Sequence, residues 1–183
     1  MTTTKLVTAE ELERMPDDGF RYDLIAGVLI KQMPANFEHG ALAATIAWIL
    51  STFVRPRKLG IVVGAETGFL LARDPDHVLG PDVAFVLADR LPPARERRHY
   101  LPLAPDIAVE VASPSQSARL VRDKVLDYLD HGVRLVWVIH PVRQTVTVWQ
   151  PDRSSRTLGT EDELDGGDVL PGFRVAVAEI FED

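Results

Sequence analysis

The chain has no cysteine, which excludes a disulfide framework and any thiolate metal site, so an ion here would be held by oxygen or histidine ligands. A hard ion such as Mg²⁺ or Mn²⁺ suits oxygen ligands best. Positive charge is also scarce: 20 Lys and Arg stand against 27 Asp and Glu, a net charge of −7. That balance argues against coating nucleic acid by nonspecific electrostatics and leaves room only for a local basic patch. Long apolar runs are missing too, since the longest, Ala41 to Leu50, falls short of the roughly 20 residues of a membrane-crossing helix. The polar N-terminus lacks the apolar core of a signal peptide and the character of a transit peptide. A soluble, cytoplasmic chain with no membrane partner is expected. Its 183 residues, 46% of them hydrophobic, suit one domain, 1–183, with a sizeable core.

Local patterns set the expected elements. Thr8 followed by Glu11 reads as a capping box opening a short helix to Met15. Tyr22 to Gln32, interrupted by Ala26-Gly27, reads as a hairpin or kinked strand. Leu42, Ile46, Ile49, Leu50 and Phe53 recur at helical spacing and predict a helix over 38–54, ended by Arg55-Pro56-Arg57. Two short strands are expected between Ile61 and Leu71, and others over 82–87, 106–112 and 135–139. A helix over 117–131 with Gly132 as its stop makes a crossover between the last two strands. Thr145 to Trp149 should pair back on 135–139. Residues 152–168 read as a polar loop and 173–177 as an edge strand. The order predicts an α/β sandwich, a mixed central sheet flanked by helices.

Two carboxylates stand out against this background. Asp82 follows Pro81 at the start of one strand, and Glu110 lies 28 positions on (110 − 82) within another. An ionised group among apolar strand residues costs several kcal/mol, of order 5, unless a cation meets it. Strand alternation puts Asp106, Ala108, Glu110 and Ala112 on one face, so Glu110 has small neighbours that leave room for an ion and a scissile group. The plainer alternative is that each acid merely flanks a strand end. The helix sharpens the choice, because at about 100° per residue, with Leu120 as zero, Val125, Tyr128 and Leu129 define a buried half circle and Lys124 falls near 40°, inside it. Arg122, Asp123 and Asp127 fall on the solvated side. A lysine so placed must snorkel to the rim or meet a carboxylate.

Tyr22-Asp23-Leu24-Ile25-Ala26-Gly27, His39, Pro81-Asp82-Val83, the run Pro105 to Ser115, Asp123-Lys124, Tyr128 and Gly132 to Trp137 together resemble the Uma-two family of restriction endonucleases, within the PD-(D/E)XK nuclease superfamily. The resemblance spans roughly Tyr22 to Phe181, and 105–124 is its specific part. It implies a restriction-endonuclease-like fold and metal-dependent hydrolysis of DNA, with Mg²⁺ (or Mn²⁺) on Asp82, Glu110 and the Val111 carbonyl, Lys124 orienting or activating water, and Asp23 completing the shell. Two departures matter: the superfamily lysine two residues after the acid is here Ala112, replaced by Lys124 from the helix, and the family's usual first-motif Glu is here Asp23.

His39, three residues before Leu42 on the same helical face, reads as a satisfied core or rim histidine, with a substrate or catalytic contact as the lesser alternative. Glu38 and Glu66 read as solvated or structural, and Trp48, Trp137 and Trp149 as core. Arg90, Arg95, Arg97 and Arg98, with Arg55, Arg57 and Lys58, are candidates for phosphate contacts to DNA, or else belong to solvated loops. Breaking a duplex takes two cuts, which makes a homodimer plausible. Two other functions compete: a noncatalytic nuclease-fold module for binding or oligomerisation, favoured by the net charge and by Asp23, and a metal-dependent hydrolase of nucleotides or other phosphoesters. The inward lysine favours an enzyme, since a degenerate site has no reason to keep it.

Overall fold

Thr8 closes its capping box as expected: its hydroxyl accepts from the Glu11 amide while the Glu11 carboxylate accepts from the Thr8 amide, opening α1 (Ala9–Glu13). The structure, a computed structural model, describes residues 5–64, 67–113 and 116–182. Next comes a hairpin, β1 (Arg21–Ile25) and β2 (Val28–Gln32). Ala26 and Gly27 both have positive φ, 48° and 78°, the two-residue turn whose twist matches that of the strands. Then follow α2 (Phe37–Arg57), β3 (Gly60–Val63), β4 (Phe69–Ala72), β5 (His77–Leu79), β6 (Val83–Leu87) and β7 (Ile107–Val111). The chain ends with α3 (Ala118–Asp130), β8 (Leu135–His140), β9 (Thr145–Trp149), β10 (Ser155–Leu158), β11 (Glu163–Asp165), β12 (Arg174–Ala176) and α4 (Val177–Phe181).

The central sheet has the order β10-β9-β8-β7-β6-β3. Strands β7 and β8 are parallel and are joined by the α3 crossover, while every other neighbouring pair is antiparallel, so the sheet is mixed. Alternation decides what each face meets. Ile107, Val109 and Val111 of β7 pack with Leu42, Ile46 and Leu50 of α2, whereas Ala108 packs with Val125, Tyr128 and Leu129 of α3. Each fully buried side chain of this size stabilises the fold by about 1.5–3 kcal/mol relative to exposure. A second sheet, β2-β1-β5-β4, brings Asp23 of β1 beside the strand that leads to Asp82.

Several elements depart from expectation. Helix α2 runs through Pro56 to Arg57, and by length and composition alone it could cross a bilayer, yet Leu42, Ile46, Ile49, Leu50 and Val54 are buried in the core. Trp48 is 67% exposed rather than core. The angles explain it: from Leu42 as zero the buried residues span about −20° to 120°, and Trp48 falls near 240°, on the outer face with Phe37, Ala41 and Ala44. The helix is apolar all round, so periodicity alone did not locate its buried side. Residues 152–168 contain β10 and β11, and the 173–177 segment pairs with β11 rather than edging the main sheet. Strand β5, only three residues long, carries no periodic signal. Glu66 lies outside the described residues, as do Pro114 and Ser115 of the 105–115 run.

Candidate active site

Asp82 stands just before β6, and its carboxylate is almost wholly buried. Its Oδ2 accepts the Val111 amide at 2.8 Å, so the backbone next to Glu110 fixes Asp82 and ties the two acids together. Its Oδ1 lies 3.0 Å from His39 Nε2 and 3.6 Å from an Arg21 nitrogen. His39 is in the first turn of α2, whose N-cap Asn36 accepts the His39 amide; the positive end of a long helix there also favours a carboxylate. Burial pushes the Asp82 pKa up, but the His39 and Val111 hydrogen bonds with the charges of His39 and Lys124 outweigh it, leaving it below the usual aspartate value.

Glu110 projects from β7 toward α3. Lys124 Nζ sits 2.9 Å from Oε1 and 3.1 Å from Oε2, and the Tyr128 hydroxyl donates to Oε1 at 2.7 Å. Lys124 and Tyr128, four residues apart, share one face of α3. Burial raises the Glu110 pKa, with Lys124 opposing. For Lys124, burial alone would lower the pKa, but Glu110, Asp23 and Asp82 together raise it. The ammonium is therefore charged at neutral pH, and its role in this state is electrostatic. Lys124 does meet a carboxylate rather than snorkel. Ala112, in the superfamily's lysine slot, packs partly buried in the apolar cluster under Val121 and Val125 of α3, where a cation would lack a partner.

Asp23 is held from both sides. Gly80 donates its amide to Oδ1 at 3.1 Å and Gln32 its side-chain amide to Oδ2 at 2.9 Å, with Lys124 Nζ 3.7 Å away. Asp23 also walls a cleft of about 450 Å³ shared with Arg21 and Gly80. Thus Asp82, Glu110, Lys124 and Asp23 converge, joined by His39, Arg21, Gln32 and Tyr128. The arrangement can hold a cation between carboxylates and donate hydrogen bonds to an anion. His39 is satisfied, as its preferred reading had it, and its partner is Asp82; its place on the buried stripe of α2 was the one local signal.

Several of the candidate basic residues have partners of their own. Arg90 pairs at 2.8 Å with fully buried Asp106, which also meets Arg134 at 3.4 Å and accepts the Leu87 amide. Asp106 precedes β7 by one residue, so it lies about 13 Å along the strand from Glu110. Arg95 pairs with Glu96, and Arg97 Nε donates to the Pro92 carbonyl. Arg57 stacks on Phe53, about 27 Å along α2 from His39. Glu38 is exposed.

A pH effect follows from His39. Asp82 raises its pKa above the usual histidine value of 6.5, against burial, so the stability this pair contributes is fully present below pH 6.5 and is lost as pH rises through the raised value. His39→Gln will lower stability by about 1.5 kcal/mol at pH 6, the low end for a hydrogen bond to a charged group, and by less at pH 9. Urea midpoints of the metal-free protein at the two pH values check this; an equal difference at both would contradict it.

The Uma2 family model, described as "Putative restriction endonuclease", matches residues 9–178. No curated protein matches the chain. Among solved structures, the crystal structure of a "putative nuclease belonging to DUF820" from Anabaena variabilis is 22% identical, with a TM-score of 0.82 over 96% of this chain and 97% of that one. That likeness establishes the α/β fold, a mixed central sheet flanked by helices.

Proposed function

The chain belongs to the Uma2 ("Putative restriction endonuclease") family, and on that premise we propose that it is a Mg²⁺-dependent endonuclease that hydrolyses phosphodiester bonds of DNA. The observation that carries the reading is the bidentate contact of Lys124 with Glu110, beside an Asp82 anchored by the neighbouring Val111 amide. The donor set fits the ion: Mg²⁺ takes one or two carboxylates and completes its shell with water and phosphate oxygens. Asp82, Glu110 and the Val111 carbonyl would hold it, with Mn²⁺ as a substitute. When bound, the ion would polarise the phosphate and lower the pKa of a bound water.

The remaining steps belong to the side chains. Lys124, charged, stabilises the developing negative charge and orients the attacking water by donating hydrogen bonds. Asp23, held by Gly80 and Gln32, keeps Lys124 directed into the site. Tyr128 fixes the Glu110 carboxylate, and its own pKa, pushed well up by burial and by Glu110, keeps it a donor. His39, with the Val111 amide and the charge of Lys124, holds Asp82 ionised, and Arg21 lies 3.6 Å from the same carboxylate.

The test is cleavage of plasmid and single-stranded DNA with and without Mg²⁺, alongside Asp82→Ala, Glu110→Ala and Lys124→Ala. Cleavage that needs the ion and disappears in the variants supports the assignment. Activity surviving all three changes would overturn it. No cleavage together with no shift of the melting temperature in Mg²⁺ or Mn²⁺ would favour the noncatalytic module.

A further inference from the structure

One cluster of metal-ligating side chains plays no part in the mechanism above. Among the described residues, His77, Asp127 and His131 bring their ligand atoms within 4.8 Å of one another, a closeness that Asp23, Asp82 and Glu110 do not reach as a trio. His77 is buried on β5; Asp127, in the last turn of α3, and His131, its C-cap, lie one turn apart, both part-exposed. Asp127 was expected on the solvated side of α3, but β5 lies over it. Its Oδ2 is 3.0 Å from His77 Nε2 and its Oδ1 3.0 Å from His131 Nδ1, while the two imidazole rings pack at a tilt of 32° with centroids 4.4 Å apart. Two imidazoles of different elements thus converge on the two oxygens of one carboxylate.

We propose that His77, Asp127 and His131 form a second metal site, separate from the carboxylate site, that takes Zn²⁺ or a similar borderline ion such as Co²⁺ or Ni²⁺. The chemistry selects the ion. Two nitrogens and one oxygen suit Zn²⁺, which is bound by imidazole and carboxylate with bonds of about 2.0–2.2 Å, whereas Mg²⁺ prefers oxygen alone. Around a tetrahedral ion with such bonds the ligand atoms lie about 3.3–3.6 Å apart; each imidazole is 3.0 Å from its own oxygen of Asp127 and the whole set lies within 4.8 Å, so small side-chain shifts accommodate the ion. His131 Nδ1 also lies 2.8 Å from the Asp127 carbonyl oxygen; binding through Nδ1 moves the neutral ring's one proton to Nε2. Part-exposure of Asp127 and His131 leaves room for water to complete the shell. The consequence is mechanical: the ion would clamp the C-terminal turns of α3 to β5. Lys124 and Tyr128, on the same stretch of α3, would be held over Glu110. The site stands whether or not the nuclease reading does.

The experiment is Zn²⁺ titration of the full-length, tag-free protein by calorimetry, with Co²⁺ absorption as a report on the ligand set. The expected result is one Zn²⁺ per chain, undisturbed by millimolar Mg²⁺, with Co²⁺ bands in the visible. Affinity should be kept in His39→Gln and Glu110→Gln and fall at least about 30-fold in Asp127→Asn and in His77→Gln. His131→Gln, at a more exposed position, guards against a folding defect in the His77 variant and should lose affinity likewise. No Zn²⁺ binding by the wild type overturns the proposal. So does affinity unchanged in Asp127→Asn and His131→Gln, or lost in His39→Gln, which would move the ion to Asp82.

Discussion

Glu110→Gln will lower the proposed metal-dependent DNA cleavage by about a thousand-fold, equivalent to about 4 kcal/mol of transition-state stabilisation, while the protein stays folded. The amide can still accept from the Tyr128 hydroxyl, which donates to Oε1 at 2.7 Å in the wild type, but it brings no charge to an ion. Folding should tolerate the change because burial already pushes the Glu110 pKa up, which means the fold disfavours the charged form that the chemistry requires. Lys124 keeps Asp23 as a partner, 3.7 Å away. An active-site acid that works against stability is the usual exchange of stability for function. Single-turnover cleavage of supercoiled plasmid and a melting curve check both halves. Full activity in this variant would remove Glu110 from the site.

Lys124→Ala will lose on both counts. The side chain forms the bidentate contact with Glu110 and retains 24% exposure, so its removal leaves a buried carboxylate without its nearest cation. The loss should be about 2–3 kcal/mol of stability at neutral pH, below the usual range for a fully buried pair because water reaches part of the site. Cleavage should fall about 100- to 1000-fold. Pairing Lys124→Met with Glu110→Gln should recover most of the stability and none of the activity, since the uncompensated charge is then gone. Because the Lys124 pKa is raised, the wild-type rate should not follow deprotonation of an amine. A pH–rate profile that climbs with a lysine-like pKa, and is lost in Lys124→Ala, would instead make Lys124 the base.

The core of the site was legible because its members lie on regular elements. Strand alternation turned Glu110 toward α3, and the angular position of Lys124 brought it to meet that acid. The angles failed where tertiary context decided: Leu120, taken as the start of the buried arc, is 62% exposed, with Ala118 and Arg119 beside it in the first turn of α3 exposed as well. His39 could be assigned to the buried stripe of α2, but not to Asp82, because nothing local brings the first turn of α2 against the start of β6. The pairing of Arg90 with fully buried Asp106 was not readable either, since neither a solvated loop nor a phosphate contact anticipates it. The second sheet was only half visible, since β5 is three residues long and has no period to read, and it is β5 that supplies His77. Polar β10, with three of its four residues exposed, resembled a loop for the same reason that an edge strand needs no apolar face.

The most direct measurement is a crystal structure soaked in Mn²⁺, with the ion located by anomalous scattering. The expected peak lies between Asp82 and Glu110, about 2.2 Å from one oxygen of each, with Lys124 Nζ moved off Glu110 but still beside it. Mn²⁺ found only elsewhere, with the Lys124 to Glu110 contact and the His39 to Asp82 contact intact, would contradict it.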